Sequence, residues 1–121
     1  NLEEGEPVIR IKTLRFANDA PVTVHDAHIP YKLFPDLLKK DFEYLHIWTH
    51  MEDDGYRVKR AVQKIEARDA DEEMAQLLDI EIGGPILYKE RTVYAEDGTP
   101  VEFTYCYNRG DTYSLTIVLS R

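Results

Sequence analysis

A single cysteine, Cys106, stands in the 121-residue chain. No internal disulfide can therefore staple the fold, which excludes a cysteine-dense secreted scaffold and fits a reducing cytoplasm. No apolar run approaches the roughly 20 residues that span a bilayer, and no signal-peptide pattern opens the sequence. Basic residues are scarce: 15 Lys and Arg face 23 Asp and Glu, a formal charge of −8. Nonspecific affinity for nucleic acid comes mainly from Lys and Arg displacing counterions, so these residues alone are not expected to bind DNA. The short patterns of common chemistries are also missing, among them the P-loop, GxSxG, GxGxxG, HExxH and CxxC. The expectation is a domain with no catalytic residues, no cofactor and no metal.

What is present is a chain able to build one core. Hydrophobic residues make up 43% and charged residues 31%, a balance that supports folding over disorder. No repeat, low-complexity tract or linker divides it, so residues 1–121 read as one domain. The chain opens on Asn1 rather than Met, which suggests a piece of a longer protein.

Residues 8–16 are rich in β-branched and apolar side chains and end at the turn pair Asn18-Asp19. Residues 21–29 read as the returning strand of a hairpin. Pro30 is expected to open a short helix through Leu33, Leu37 and Leu38, with Pro35 near its start. Tyr44, Ile47, Trp48 and Met51 recur at helical spacing, which predicts a second helix over 42–51 ended by Gly55. A long strand over 56–67 follows. Asp69 is then expected to cap a helix, with Glu72 three residues on and Met74, Leu77 and Leu78 as its buried stripe. After Gly83-Gly84-Pro85, residues 86–95 and 101–109 flank the turn Glu96-Asp97-Gly98 as the clearest hairpin. Tyr113, Leu115, Ile117 and Leu119 alternate with Thr112, Ser114, Thr116 and Val118, which predicts a final strand with one buried face. Hairpins interrupted by short helices specify an α+β fold, an antiparallel sheet with flanking short helices.

Two strands carry polar faces. Along 101–109, Val101, Phe103, Tyr105 and Tyr107 point one way, while Glu102, Thr104, Cys106 and Asn108 point the other. That second face is either solvated or the floor of a pocket, where small side chains leave room and Glu102 accepts hydrogen bonds. On the first strand Ile9 and Ile11 share a face with Thr13 and Arg15. Arg15 there suits either a ligand carboxylate or phosphate or a surface ion pair of little worth. His46 and His50 lie four apart on a helix, whereas His25 and His28 fall on opposite faces of a strand. With no third ligand at a recognised spacing, solvated or pocket-lining histidines are the expectation. Cys106 reads as a buried structural thiol rather than a nucleophile.

The order of several segments is more specific than any one of them. Arg15 to Pro21 is followed by Ile29-Pro30-Tyr-Lys-Leu33-Phe-Pro35, then Ala70-Asp-Glu-Glu-Met-Ala75-Gln-Leu77-Leu78 and Gly84-Pro85-Ile-Leu87. Arg91-Thr-Val-Tyr94, Asp97-Gly98-Thr-Pro100-Val101-Glu102 and Arg109-Gly110-Asp111-Thr-Tyr113-Ser-Leu115 complete the series. From about Pro7 onward this resembles the UTRA domain, the effector-binding domain of GntR-type bacterial transcriptional regulators of the HutC group. The resemblance implies a chorismate-lyase-like fold that binds a small-molecule effector and forms a homodimer. It also implies that operator DNA is met only through an N-terminal winged helix-turn-helix, for which these residues hold no counterpart.

Site residues carry over unevenly. The family's phosphate-holding Arg-x-Arg pair is matched by Thr13-Leu14-Arg15, so only Arg15 corresponds. The strand glutamate that holds sugar hydroxyls matches Glu102. A Ser-x-Tyr pattern falls on Tyr44-Leu45-His46, an acidic residue on His25 and a late tyrosine on Asn108. These departures argue against a phosphorylated amino sugar. Arg15, assisted by Lys12 or Arg60, favours an anionic metabolite such as a differently shaped sugar phosphate or a carboxylate. Two other readings are a dimerisation module with a vestigial pocket and, on fold analogy alone, a lyase.

Overall fold

A computed structural model of the chain describes residues 5–37 and 47–120. Strand β1 (Val8–Ala17) turns into β2 (Ala20–Pro30) through Asn18 and Asp19, both with positive φ (51° and 66°). Two left-handed residues in a two-residue loop match the right-handed twist of the strands they join, and Asn and Asp tolerate that region best after glycine. Helix α1 (Ile47–Asp53) ends at Gly55 (φ 94°) and leads into β3 (Val58–Asp69). Helix α2 (Glu72–Leu78), β4 (Pro85–Ala95) and β5 (Pro100–Arg109) complete the order. All pairings are antiparallel, in the sheet order β1-β2-β5-β4-β3. The architecture is thus the expected α+β one, a five-stranded sheet with two short helices. No helix among the described residues is long and apolar enough to cross a membrane.

The sheet has two working faces, each closed at one end only. On the face shared by Ile9, Ile29 and Val93, a core forms with Phe34 and Leu37 of the 31–37 turns and with Ile47 and Met51 of α1. On the opposite face α2 lays Met74, Ala75 and Leu78 against Val24, Ile86 and Tyr88. Each fully buried Leu or Ile side chain contributes about 1.5–3 kcal/mol, so both helices are held mainly by these contacts.

Several expectations are corrected. Residues 31–37 form successive turns rather than a helix: Leu33, Phe34 and Leu37 donate to the carbonyls three residues back. Pro35 lacks the N–H a helix would need there. Leu38 and residues 42–46 lie outside the described residues. The cap of α2 is Asp71, whose carboxylate accepts from the Met74 N–H at 2.9 Å, whereas Asp69 ends β3. Leu77 is only partly buried beside Met74 and Leu78. Residues 113–120 are not a strand of this sheet. They carry no regular secondary structure, and both neighbours of β5 are already taken, by β2 and β4.

Candidate functional site

Strand register brings the polar residues together. Thr13 lies across from His25 and Arg15 across from Thr23. His25 faces Cys106 and Thr23 faces Asn108, while Lys89 pairs with Cys106, Arg91 with Thr104 and Val93 with Glu102. Cross-strand partners project to the same side, so all of these share the face whose other end is the α1 core. There they line a cavity of about 210 Å³, bounded by Arg15, Thr23, His25, Gln63, Lys89, Arg91, Cys106, Asn108 and Tyr113. Of the polar face of β5, Cys106 and Asn108 line this cavity, and the face is not solvated: Glu102 and Asn108 are 2% exposed and Thr104 is fully buried.

The floor is hydrogen-bonded from within. The Thr23 hydroxyl donates to Asn108 Oδ1 at 2.8 Å, and Asn108 Nδ2 donates to the Leu87 carbonyl at 3.0 Å. Glu102 is held on both oxygens, by Trp48 Nε1 at 3.0 Å and by the Thr104 hydroxyl. Arg91 reaches the same carboxylate at 3.8 Å. Glu102 therefore acts as an anchor beneath the cavity, fixing Arg91 and Trp48, rather than as a wall residue. Trp48, expected on the apolar stripe of its helix, is instead 40% exposed and bent toward this carboxylate.

Three cations meet at the cavity: Arg15, Lys89 and Arg91. The Arg91 Nε is buried and makes no hydrogen bond among the described residues, and an unmade buried hydrogen bond costs about 1–3 kcal/mol. Burial, reinforced by Arg15 and Arg91, pulls the His25 imidazole down to about 4, so it is neutral at physiological pH. Burial also pushes the Cys106 thiol above its ordinary value, which keeps it from acting as a thiolate.

The structure groups Arg15, His25, Asn108 and, beneath them, Glu102. Thr13 sits on the same face beside His25. Arg60 does not join them: it pairs with Tyr94 on the other side of the sheet and stacks over that ring at 4.3 Å. One residue of register decides this, because Ala61 rather than Arg60 pairs with Val93. Lys12 likewise projects from the opposite face to Arg15 and lies 3.7 Å from Glu73 of α2. Tyr44 and His46 lie outside the described residues. Lys89 and Arg91 are not among the residues that the sequence singles out; alternation places them on one face of β4, and only the pairing of β4 with β5 puts that face beside Glu102.

A larger cleft of about 400 Å³ opens on the opposite face, between Tyr94, Phe103, Tyr105 and His28. Val8, Pro30, Thr92, Pro100 and Glu102 complete its lining, and it brings together no cationic cluster. The smaller cavity, with converging charged and polar groups, has the character of a recognition site.

Fold and site together describe an antiparallel sheet domain with a small cavity lined by charged and polar side chains. The UTRA domain family model matches residues 1–114, and the chain belongs to that family. It is similar to the HTH-type transcriptional repressor NagR of Bacillus subtilis, 34% identical over 97% of this chain and 49% of that protein. Among solved structures it is similar to a GntR-family transcriptional regulator from Enterococcus faecalis, with a TM-score of 0.84 and 26% identity over 98% of this chain and 85% of that one. The effector domain of PhnF from Mycobacterium smegmatis shares the fold, with a TM-score of 0.88 at 21% identity over 99% of this chain and 74% of that one. The chain spans about half the length of the curated relatives that it matches along nearly its whole length.

Proposed function

We propose that this is the small-molecule-sensing domain of a cytoplasmic bacterial transcriptional regulator of the GntR/HutC type. It acts as a homodimer, and operator DNA is contacted through an N-terminal domain outside this chain. The effector is an anionic metabolite, a sugar phosphate or a carboxylate, seated between Arg15 of β1 and Lys89 and Arg91 of β4. The observation that carries this reading is the buried, unpaired Nε of Arg91 in a cavity that also gathers Arg15 and Lys89. A guanidinium so placed is ready to fork onto a phosphate or carboxylate. His25, held neutral, and the Asn108–Thr23 pair supply hydrogen bonds to uncharged parts of the ligand.

The domain binds rather than catalyses. Its one thiol is held protonated by burial, and the neighbouring imidazole is too weak a base to activate it. Regulation follows if the ligand favours one arrangement of the dimer, with a coupling of about 1–3 kcal/mol between pocket and operator contacts.

The test is a thermal-shift and calorimetric screen against sugar phosphates and carboxylates. A ligand at about 100 times its dissociation constant adds about 2.7 kcal/mol, on the order of 10 °C in melting temperature for a domain of this size. Arg15→Ala and Arg91→Ala should each abolish that shift. Silence across the anions, or a hit indifferent to both substitutions, refutes the assignment.

A further inference from the structure

Helix α2 is too short to cover the face of the sheet on which it packs. Its seven residues rise about 10 Å, whereas the ten residues of β5 run about 33 Å. The helix reaches Val24, Ile86 and Tyr88, with Tyr105 and Tyr107 alongside. Phe103 continues the aromatic row of β5 beyond them and joins neither core cluster. The cleft of about 400 Å³ lies on this uncovered half, with Val8, Pro30, Tyr94 and Pro100 drawn from four strands around Phe103. Its volume falls within the usual range of small-molecule sites, about 300–1,000 Å³.

Rings shape the cleft. Tyr105 meets His28 edge to face, with centroids 5.6 Å apart and planes at 87°. It meets Phe103 in the same way, at 4.9 Å and 79°. Rings crossed like this form a corner rather than a stack, so a ligand seated in it touches more than one of them. Tyr94 lines the same cleft, and its ring already holds a cation, the Arg60 guanidinium at 4.3 Å.

Charge selects the occupant. The face of an aromatic ring is the negative pole of its quadrupole, and no Lys or Arg is among the described residues lining the cleft. Arg10 is bound at two points by Asp26, and Arg60 and Arg68 lie over Tyr94 and Tyr88. The chain as a whole carries a net charge of −8. An anion here meets negative ring faces with no Lys or Arg to receive it, whereas a cation is drawn by rings and net charge alike. The aliphatic side chains of Val8, Pro30 and Pro100 select the form of that cation. A bare ammonium demands an acceptor for each of its N–H donors, while methyl groups on the nitrogen demand none and pack on these side chains. We propose that the cleft is a second ligand site, for a small organic cation whose alkylated ammonium group sits against Phe103, Tyr105 and Tyr94. It lies on the face opposite the anion cavity and does not depend on the effector reading above.

NMR titration of the isotope-labelled 121-residue chain tests this, with choline and its uncharged isostere dimethylbutanol, in which carbon replaces the quaternary nitrogen. Choline should shift the backbone amides of Tyr94, Phe103, Thr104 and Tyr105, and should bind about five-fold more tightly than the isostere. Phe103→Leu and Tyr94→Leu each remove a ring that lies outside both core clusters, so their spectra should remain those of a folded chain. Each should weaken choline about five-fold and the isostere less. Equal binding of choline and the isostere overturns the assignment of charge. No shift with choline, or shifts confined to Arg15, His25 and Lys89 across the sheet, overturns the site, as does choline binding that neither substitution changes.

Discussion

The burial of His25 has a direct consequence for stability against pH. Its imidazole is lowered from 6.5 to about 4, first by burial, then by the charges of Arg15 and Arg91, with Glu102 and Asp26 opposing. Unfolding restores the ordinary value. The group's contribution is therefore complete above pH 6.5 and is lost as pH falls toward 4, because the unfolded chain takes up a proton that the folded chain refuses. Worked between pH 7 and pH 5, the linkage relation gives a loss of about 2 kcal/mol, or on the order of 8 °C in melting temperature. Asp26, Glu66 and Asp111 are all held below their ordinary values by Arg10, Arg68 and Arg109 respectively, and titrate further down. Urea unfolding of the wild type and of His25→Gln at both pH values isolates the effect as a double difference. His25→Gln should lose about 2 kcal/mol less than the wild type between pH 7 and pH 5. Equal losses in the two proteins would refute the account of His25 as a buried neutral base.

Other consequences are simpler to state. Glu102→Ala leaves Trp48 Nε1 and the Thr104 hydroxyl without their acceptor and Arg91 without its counter-charge. It should cost about 2 kcal/mol and alter the fluorescence of Trp48, the one tryptophan. Asp71→Ala removes the acceptor for the Met74 N–H and should cost about 1 kcal/mol by urea titration. Leu78→Ala empties a fully buried position between α2 and the sheet, at about 3 kcal/mol. Asp26→Asn breaks the two-point contact with Arg10. Because that contact holds the carboxyl below its ordinary value, the stability it adds is present above about pH 4 and lost in stronger acid, so the variant should differ from the wild type at pH 7 and converge with it near pH 2.

Local signals carried most of the strands. The alternation along β5 assigned the faces of Phe103 to Asn108, whereas Val101 packs with Ile9, Ile29 and Val93 instead of with Tyr105 and Tyr107, beside the register shift between Val93 and Tyr94. Asn18-Asp19 and Glu96-Asp97-Gly98 are turns where the strands reverse. The misreadings share a cause, which is that alternation specifies a face without specifying a partner. Residues 113–120 alternate as well as any strand here, but a strand requires an edge, and sequence does not show which edges are already occupied. Arg60 illustrates the same limit. Its side depends on the pairing of β3 with β4, including a register shift between Val58 and Arg60. Likewise, Lys89 and Arg91 became site residues only once β4 was seen beside β5, because the chemistry of the cavity is assembled across strands rather than along one.

The charges of that assembly decide what an anion would meet in the cavity. An acidic chain gathers Arg15, Lys89 and Arg91 around one small cavity, and like charges at such proximity repel unless compensated. Glu102 lies 3.8 Å from Arg91, while Arg15 makes no ion pair among the described residues. Lys89 is engaged by the Tyr113 hydroxyl and ring, the first residue of the exposed segment. In the proposed reading, an anion in the cavity meets a Lys89 already bound to Tyr113. Tyr113→Phe removes the hydroxyl that Lys89 binds but keeps the ring, which frees an N–H of Lys89 for the anion and should strengthen anion binding. Calorimetry with the anion that the screen identifies reads the change. Weaker anion binding in Tyr113→Phe would mean that the hydroxyl is itself a ligand contact, and the account of Lys89 as held by Tyr113 against the anion would fail.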